Sequence, residues 1–366
     1  MPLHETPSHS GWTVEWHLDD DTSVARLSIV NCDMRIGQSI VRMGGIAGVG
    51  TNREHRNKGY ASQIMHSANV LMAREGYDAA FLFGIPDFYH RFGYATCTPE
   101  HDLKIDTRDA ERAKSDLVLR QMTKQDLPTV ARLYNRETHH LTASIYRNPK
   151  SWAGFPHGSF FGRKVDAHVV LDNKNRIVGY VAYDAEEDRC RASEVGGQSA
   201  VVYATILSFL ARRAVKLRRE AVTFAMPANH PFARWARDFG LVDATQYQRN
   251  RGAMGRLINL QSFFEKISPE LSCRLPGNIS PSMFTLVTDI GEVTLFCSDQ
   301  CVTVLPQKTQ NRAHIAQHDL MVLAMGYKSV EDLVMTNRLR ASASVRGTLN
   351  DLFPLQTAHM WWADRF

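Results

Sequence analysis

Three segments with different patterns follow one another near the start of the chain, and together they limit how it can fold. Residues 45–50 are apolar, residues 56–61 form a basic turn that contains a glycine, and residues 62–75 are amphipathic. Apolar side chains recur at helical spacing in the third segment, at Ile64, Ala68, Leu71 and Met72. The sequence therefore predicts a strand, a turn and a helix in direct succession.

The turn, Arg-Asn-Lys-Gly-Tyr-Ala, suits a pyrophosphate group. Backbone N–H groups at the start of a helix lack partners, and the helix dipole places partial positive charge there. Gly59 lets the backbone approach a ligand closely, and Arg56 and Lys58 add positive charge. The spacing R-x-x-G-x-A fits neither a Walker loop nor a dinucleotide-binding loop. An ordinary surface turn is the alternative interpretation of this segment alone.

A second segment, Phe-Tyr-His-Arg-Phe-Gly-Tyr at 88–94, makes the first more specific. A buried strand is predicted between them at 79–83, and Gly84 starts the turn that leads to Tyr89. The two motifs in this order resemble the coenzyme A loop and the tyrosine segment of the GNAT acetyltransferases. The resemblance implies that the strand at 44–50 pairs its backbone with the pantetheine arm and that Tyr89 faces the departing thiolate.

Length and composition indicate a globular chain of two or three domains. The chain has 366 residues, of which 44% are hydrophobic and 22% charged, so it can bury sizeable cores and lacks the composition of a disordered protein. The net charge of +5 suits the phosphates of coenzyme A but does not by itself indicate nucleic-acid binding. We see neither a membrane-spanning run nor a signal peptide, so we expect a cytoplasmic protein without a membrane span.

The six cysteines are scattered along the chain, and no two of them form a C-x-x-C motif. Cys297 and Cys301 lie in an alternating apolar run with no His-x-x-x-His partner. We therefore expect free thiols and no metal site. Three consecutive acids at 19–21 are interpreted as a solvated turn, with a cation-attracting rim as the alternative.

A later part of the chain repeats the first organisation without its functional residues. Residues 232–241 have the outline of the tyrosine segment but no tyrosine, and Glu-Val-Gly-Gly at 194–197 stands where the basic turn would be. We interpret this part as a second GNAT-like domain that has lost cofactor binding. An unrelated α/β domain is the alternative.

The whole chain resembles the enhanced intracellular survival (Eis) acetyltransferases. Two GNAT-like units precede a sterol-carrier-like αβ unit, Leu-Phe-Pro stands at 352–354, and the chain ends in Asp-x-Phe. The resemblance implies an α/β (α+β) fold with tandem GNAT-like domains followed by a sterol-carrier-protein-like domain. The expected limits are 1–114 for the catalytic domain, 115–251 for the degenerate domain, and 252–366 for the domain that supplies the C-terminus to the active site.

The same resemblance implies an activity, the transfer of acetyl from acetyl-CoA to an amine, often of an aminoglycoside or similar polyamine. It also implies a homo-oligomer, most often a hexamer. Tyr89 matches the general acid of this family, and the free carboxylate of Phe366 matches the general base. The implied acetyl-CoA contacts are Val49, Gly50, Thr51, Arg56, Asn57, Lys58, Gly59, Tyr60, Ala61, Ser62 and Gly84.

The two catalytic candidates can be judged by their acidity. A tyrosine with a pKa of about 10 can donate a proton to a thiolate of similar basicity. A terminal carboxylate with a pKa of about 3.5 is a weak base, which burial beside Trp361 and Trp362 would strengthen and Arg365 would weaken. As alternatives, the last residues only fill a core, or Glu15 or Asp21 acts as the base through a water.

The sequence departs from the family at both ends. Strands are expected from Trp12 onward, so we expect no leading helices to wall the substrate pocket. Arg365 stands where an acidic residue is expected beside the terminal phenylalanine. Both differences disfavour a polycationic acceptor. A protein lysine is therefore an alternative acceptor, and a non-catalytic protein that binds coenzyme A or a lipid is an alternative function.

Overall fold

The computed structural model describes residues 2–114 and 116–366, which form three β-sheets with helices packed on them. The strands of the first sheet are β1 (Leu3–Ser8), β2 (Gly11–His17), β3 (Ser23–Ile36), β4 (Ser39–Thr51), β5 (Ala79–Gly84), β6 (Ala95–Thr96) and β14 (Gly252–Leu257). They lie in the order β1-β2-β3-β4-β5-β14-β6. The mixed α/β architecture confirms the predicted fold class.

The second sheet also has seven strands. They are β7 (Glu100–Asp106), β8 (Val118–Gln121), β9 (Val165–Leu171), β10 (Ile177–Asp184), β11 (Arg191–Gly197), β12 (Ala221–Phe224) and β13 (Val242–Gln246). Their order is β13-β7-β12-β11-β10-β9-β8. In this sheet β11 and β12 are parallel and lie among antiparallel pairs. In the first sheet the parallel pair is β4 and β5.

The third sheet has five strands. They are β15 (Ser282–Thr288), β16 (Gly291–Ser298), β17 (Cys301–Leu305), β18 (Arg312–Ile315) and β19 (Leu339–Arg340). Their order is β17-β16-β15-β18-β19. The first three strands form the antiparallel meander that the alternating sequence predicts.

Nine α-helices lie within the described residues, and none is long and apolar enough to cross a membrane. They are α1 (Tyr60–Arg74), α2 (Thr107–Ala110), α3 (Leu127–Glu137), α4 (Ala200–Lys216), α5 (Pro231–Ala236), α6 (Leu260–Arg274), α7 (Gln317–Ala324), α8 (Val330–Met335) and α9 (Ala343–Leu352).

The first two sheets exchange strands. β7 precedes the expected boundary at 114 but lies in the second sheet, between β13 and β12. β14 follows the expected boundary at 251 but lies in the first sheet, between β5 and β6. The expected domain limits therefore do not follow the sheets, because sequence alternation identifies a strand but not its partner. Met1 and Ser115, at two of those limits, lie outside the described residues.

Both faces of the first sheet are covered, and this arrangement defines two sides of the site described below. One face packs against α1 through its buried residues, Ile64, Met65, Ala68, Leu71 and Met72. The other face packs against the third unit, where Met43 and Phe81 share a hydrophobic core with Phe263 of α6. The central strands are therefore buried on both sides.

Several local expectations are wrong in informative ways. The polar N-terminal strand β1 was not predicted, although it pairs with β2 along its whole length. The pattern at 257–266 predicts a helix, yet Leu257 belongs to β14, which spans residues 252–257 and pairs with β5. The pattern at 314–324 predicts one helix, but the observed α7 begins only at Gln317, after β18. The helix α9 was not predicted.

Candidate functional site

The central feature of the candidate site is the separation of strands β4 and β5. Their parallel pairing runs from Met43 opposite Ala79 to Ile46 opposite Leu82 and then stops, although β4 continues to Thr51. The register of β4 with β3 also shifts here, and the φ angle of Gly48 is +60°. A bulge at the end of a parallel pair leaves backbone groups available to a ligand.

The helix α1 begins beside this gap. Its N-cap is Gly59, whose φ angle of +86° favours glycine, and no side chain caps the first turn. A Cβ built on Gly59 meets no other atom within 4 Å, so the space before the helix is open. The unpaired N–H groups of the first turn therefore face a space that an anion can enter.

A cavity of about 570 Å³ joins the end of β4, the start of α1 and the tyrosine segment. Most of the predicted cofactor residues line it, whereas Lys58 and Gly84 do not. Four further residues line it that the sequence analysis did not select: His55, Ile85, Phe88 and Arg91. Phe88 and Arg91 belong to the tyrosine segment itself, His55 directly precedes the basic turn, and Ile85 directly follows Gly84, so the signal for all four was local.

Tyr89 lies on the α1 side of the sheet, within the same hydrophobic cluster as α1. Its ring packs against Gly84, where a Cβ would approach Tyr89 Cδ2 to 2.7 Å, so Gly84 shapes the site without lining the cavity. In the part of the chain that the structure describes, the Tyr89 hydroxyl has no hydrogen-bond partner. Burial raises its pKa above the usual value of 10.0, so Tyr89 keeps its proton at neutral pH.

The neighbouring Tyr94 differs from Tyr89 in its contacts. Its hydroxyl donates a hydrogen bond to Asn69 Oδ1 at 2.8 Å, and the side chain is buried. Its hydroxyl is therefore already bonded to α1 and is not available to a ligand.

Phe366 lies on the opposite face of the first sheet. A Cβ built on Gly44 would meet Met72 of α1, whereas one built on the next residue, Gly45, would lie 2.6 Å from the Phe366 ring. The ring also stacks edge-on against Phe83, with 5.9 Å between centroids. The ring of Phe366 is therefore held against Gly45. The next residue, Ile46, is the last at which β4 pairs with β5.

The residues before Phe366 are fixed by a buried ion cluster in the second unit. Arg147 donates to Asp364 at 2.8 and 2.9 Å and to Glu194 at 2.6 and 2.7 Å. Tyr134 donates to Asp364 at 3.0 Å, and Tyr180 donates to Glu194 at 2.7 Å. Arg147 binds both carboxylates in a buried position. The C-terminal tail, residues 360–366, is therefore anchored by ion pairs as well as by packing.

Arg365 is buried and paired, in contrast to the free cation that the sequence suggested. Its guanidinium donates two hydrogen bonds to Glu100, both at 2.9 Å. It also stacks on Trp362 and Phe83, with 4.0 and 4.7 Å from Cζ to the ring centroids. Its charge is therefore offset by Glu100, and it serves to hold the tail.

The corresponding gap in the second unit is filled by the protein itself. There, α4 connects the parallel pair β11 and β12, as α1 connects β4 and β5. Gly197, at the end of β11, donates its N–H to Glu137 at 2.7 Å and accepts a hydrogen bond from the Tyr203 hydroxyl. A Cβ on Gly197 would lie 2.5 Å from Val202. The backbone groups that are open in the first unit are thus internally bonded here.

Comparison with known proteins agrees with this geometry. Residues 10–97 match the family model described as an acetyltransferase (GNAT) domain. This domain makes the chain an acyltransferase, and it implies the use of acetyl-CoA. No curated protein matches the sequence.

Solved structures with the same fold cover 97% of the chain. A probable N-acyltransferase from Enterococcus faecalis V583 has a TM-score of 0.79 at 15% identity, with 89% of its length covered. A GCN5-related N-acetyltransferase from Anabaena variabilis has a TM-score of 0.78 at 16% identity, with 89% covered. Eis1 from Mycobacterium abscessus has a TM-score of 0.66 at 15% identity, with 91% covered. At such identities the likeness concerns the fold, and the tandem GNAT arrangement fits it.

Proposed function

We propose that this chain is an N-acetyltransferase that moves the acetyl group of acetyl-CoA directly to an amine. The observation that carries the proposal is the placement of Tyr89 and Phe366 near one strand separation but on opposite faces of the sheet. Two reactants that approach from opposite faces can meet where β4 and β5 part, which favours direct transfer over a covalent enzyme intermediate.

The cofactor side is the cavity at the start of α1. The N–H groups of the first turn and Arg56 would bind the pyrophosphate, and the backbone of Val49–Thr51 would pair with the pantetheine arm. The open space before Gly59 fits this assignment, because a side chain there would obstruct a phosphate group. Lys58, which does not line the cavity, would act on the phosphates by charge alone.

In the reaction, the amine nitrogen would attack the thioester carbon, and the carbon–sulfur bond would then break. The departing thiolate would take the proton of the Tyr89 hydroxyl, which has no hydrogen-bond partner among residues 2–114 and 116–366. The amine would lose its proton to the carboxylate of Phe366. Glu15 and Asp21 are the alternative bases, acting through a water.

The remaining parts of the chain support the site in this proposal. The second unit has a cofactor gap filled by Glu137 and Tyr203, and it anchors the tail through Arg147. The third unit, which we compare with sterol-carrier proteins, supplies the chain end. Together these features favour an Eis-like enzyme, which would assemble as a homo-hexamer.

The acceptor is proposed to be an aminoglycoside or a similar polyamine. Pairing of Arg365 with Glu100 removes one objection to a cationic substrate. In the described part of the chain before α1, no helix of more than three residues is present to wall an acceptor site. This supports a protein lysine as the second candidate acceptor.

The test measures thiol release from acetyl-CoA with aminoglycosides, polyamines and a lysine-containing peptide as acceptors. The intact protein is compared with a variant that carries one additional glycine after Phe366. We expect release with at least one amine and a collapse of activity in the extended variant, because the carboxylate has moved. Unchanged activity after extension would exclude the terminal carboxylate as the base.

Binding of coenzyme A is measured in parallel by calorimetry. If the protein binds coenzyme A but acetylates no amine in the panel, the non-catalytic binding protein becomes the better interpretation. If it binds no coenzyme A at all, the assignment of the cavity is wrong.

A further inference from the structure

We infer that His4, His17 and Asp21 form a binding site for a divalent transition-metal ion on the N-terminal hairpin. Each side chain offers one ligand atom, and these atoms lie within 4.8 Å of one another. The inference goes beyond the proposed acetyl transfer and does not depend on it. It also replaces the expectation from sequence that the chain has no metal site.

The strand register explains why these residues meet. β1 and β2 are antiparallel, with His4 opposite Glu15. His17 lies two residues beyond Glu15, so His4, Glu15 and His17 point to the same face of the hairpin. The two imidazole rings are in contact, with 4.2 Å between their centroids. The turn after β2 then brings Asp21 next to His17.

The distances suit a shared ion with small side-chain rotations. Nδ1 of His17 lies 3.0 Å from Oδ1 of Asp21. Two ligands of one tetrahedral ion lie about 3.4 Å apart when each bond is about 2.1 Å long. His4 and Asp21 are exposed and can rotate, whereas the His17 side chain is only 17% exposed and is held by its neighbours. His17 is thus the fixed ligand, and the other two can close on the ion.

Glu15 supplies the second observation. Nε2 of His17 is buried and has no hydrogen-bond partner in the described residues, yet it lies 3.9 Å from Oε2 of Glu15. Glu15 itself accepts a hydrogen bond from Ser23 at 3.0 Å. Histidines that bind metal through one ring nitrogen usually donate the other N–H to a carboxylate, which fixes the tautomer. When Nδ1 binds the ion, Nε2 carries the proton and faces Glu15.

Two imidazoles and one carboxylate are a ligand set for Zn²⁺ and related ions, with the remaining coordination positions left to water. The ion would connect β1 to the turn after β2. The hairpin also borders the cofactor cavity, since Trp16 lies 5.7 Å from Tyr60 between ring centroids, and Tyr60 lines that cavity.

The experiment titrates the untagged full-length protein with Zn²⁺ in competition with a chromophoric zinc indicator. We expect one equivalent of bound Zn²⁺. The substitutions His4→Gln and Asp21→Asn alter exposed side chains and should each raise the Kd at least about tenfold. Glu15→Gln keeps the ligands but should raise the Kd about 10–100-fold, as loss of an orienting carboxylate does.

His9→Gln is the matched control, because His9 is an exposed histidine on the same hairpin and is outside the cluster. It should bind Zn²⁺ like the unaltered protein. Thermal unfolding gives a second readout: at one Zn²⁺ concentration, the rise in Tm should be larger for the unaltered protein than for Asp21→Asn. Equal Zn²⁺ affinity in the His4→Gln, Asp21→Asn and unaltered proteins would overturn the site and leave a simple hydrogen bond between His17 and Asp21.

Discussion

The ring of Phe366 occupies the space that a side chain at Gly45 would fill. Three ring atoms lie 2.6, 2.6 and 2.7 Å from a Cβ built on that glycine. The last residue of the chain therefore packs against β4 at Gly45, and this packing depends on the absence of a Cβ atom there.

The substitution Gly45→Ala should therefore displace the terminal residue. We expect the free energy of unfolding to fall by about 1–3 kcal/mol, as overpacking does, and kcat to fall about 100-fold because the carboxylate moves. Affinity for coenzyme A should change little, since Gly45 faces away from α1. Gly347→Ala is the control: its position in α9 has open space, so stability should stay equal or rise. Full activity of Gly45→Ala would contradict the proposed placement.

Tyr89→Phe removes the proposed proton donor and keeps the ring that packs against Gly84. We expect kcat to fall about 10²–10⁴-fold while the Kd for coenzyme A stays the same. The raised pKa of Tyr89 means that the protonated form persists above pH 10, so the activity of the unaltered enzyme should decline only as the pH rises beyond that value. Tyr94→Phe should keep its activity and lose only about 1 kcal/mol from its hydrogen bond to Asn69.

Gly59→Ala and Gly76→Ala form a matched pair at the two ends of α1. Both glycines have positive φ angles, +86° and +73°, and neither Cβ would meet an atom within 4 Å. Each substitution should destabilise the fold by about 1–2 kcal/mol. Calorimetry should find weaker coenzyme A binding only for Gly59→Ala, because only that methyl group enters the cavity. A similar loss of affinity in both variants would point to backbone strain instead.

Arg147→Met leaves Asp364 and Glu194 buried without their cation. We expect a loss of about 3–5 kcal/mol in the free energy of unfolding, together with loss of activity as the tail is released. Urea denaturation measures the first effect and thiol release the second. Arg176→Met, which removes an exposed partner of Asp172, should cost only about 0.2–1 kcal/mol. Equal costs for the two variants would mean that the buried cluster does not anchor the tail.

The basic turn and the tyrosine segment come together in one cavity as the sequence predicts, because each motif is local in the sequence. The basic turn and the tyrosine segment each lie within seven residues, and their patterns depend on backbone conformation that Gly59 and Gly93 determine. The order of strand, turn and helix follows from hydrophobic periodicity, which the observed α1 confirms.

The surroundings of Phe366 on the opposite face of the sheet were less predictable, because distant residues form them. Nothing near Arg147 in the sequence indicates that it would bind Asp364, and nothing near Glu100 indicates Arg365 as its partner. The histidine cluster was missed for the same reason, since His4 and His17 become neighbours only when β1 pairs with β2. The polar composition of β1 gave no strand pattern to make this pairing visible.

The strand exchange between the first two sheets also limits how the protein can be divided. A fragment that ends at 114 would keep β7 without its sheet and would lack β14, which separates β5 from β6. The complementary fragment would carry β14 as a loose strand and would have a gap between β13 and β12. Neither unit can therefore be excised intact by a single cut, and gene truncations or domain swaps with relatives must transfer the two units together.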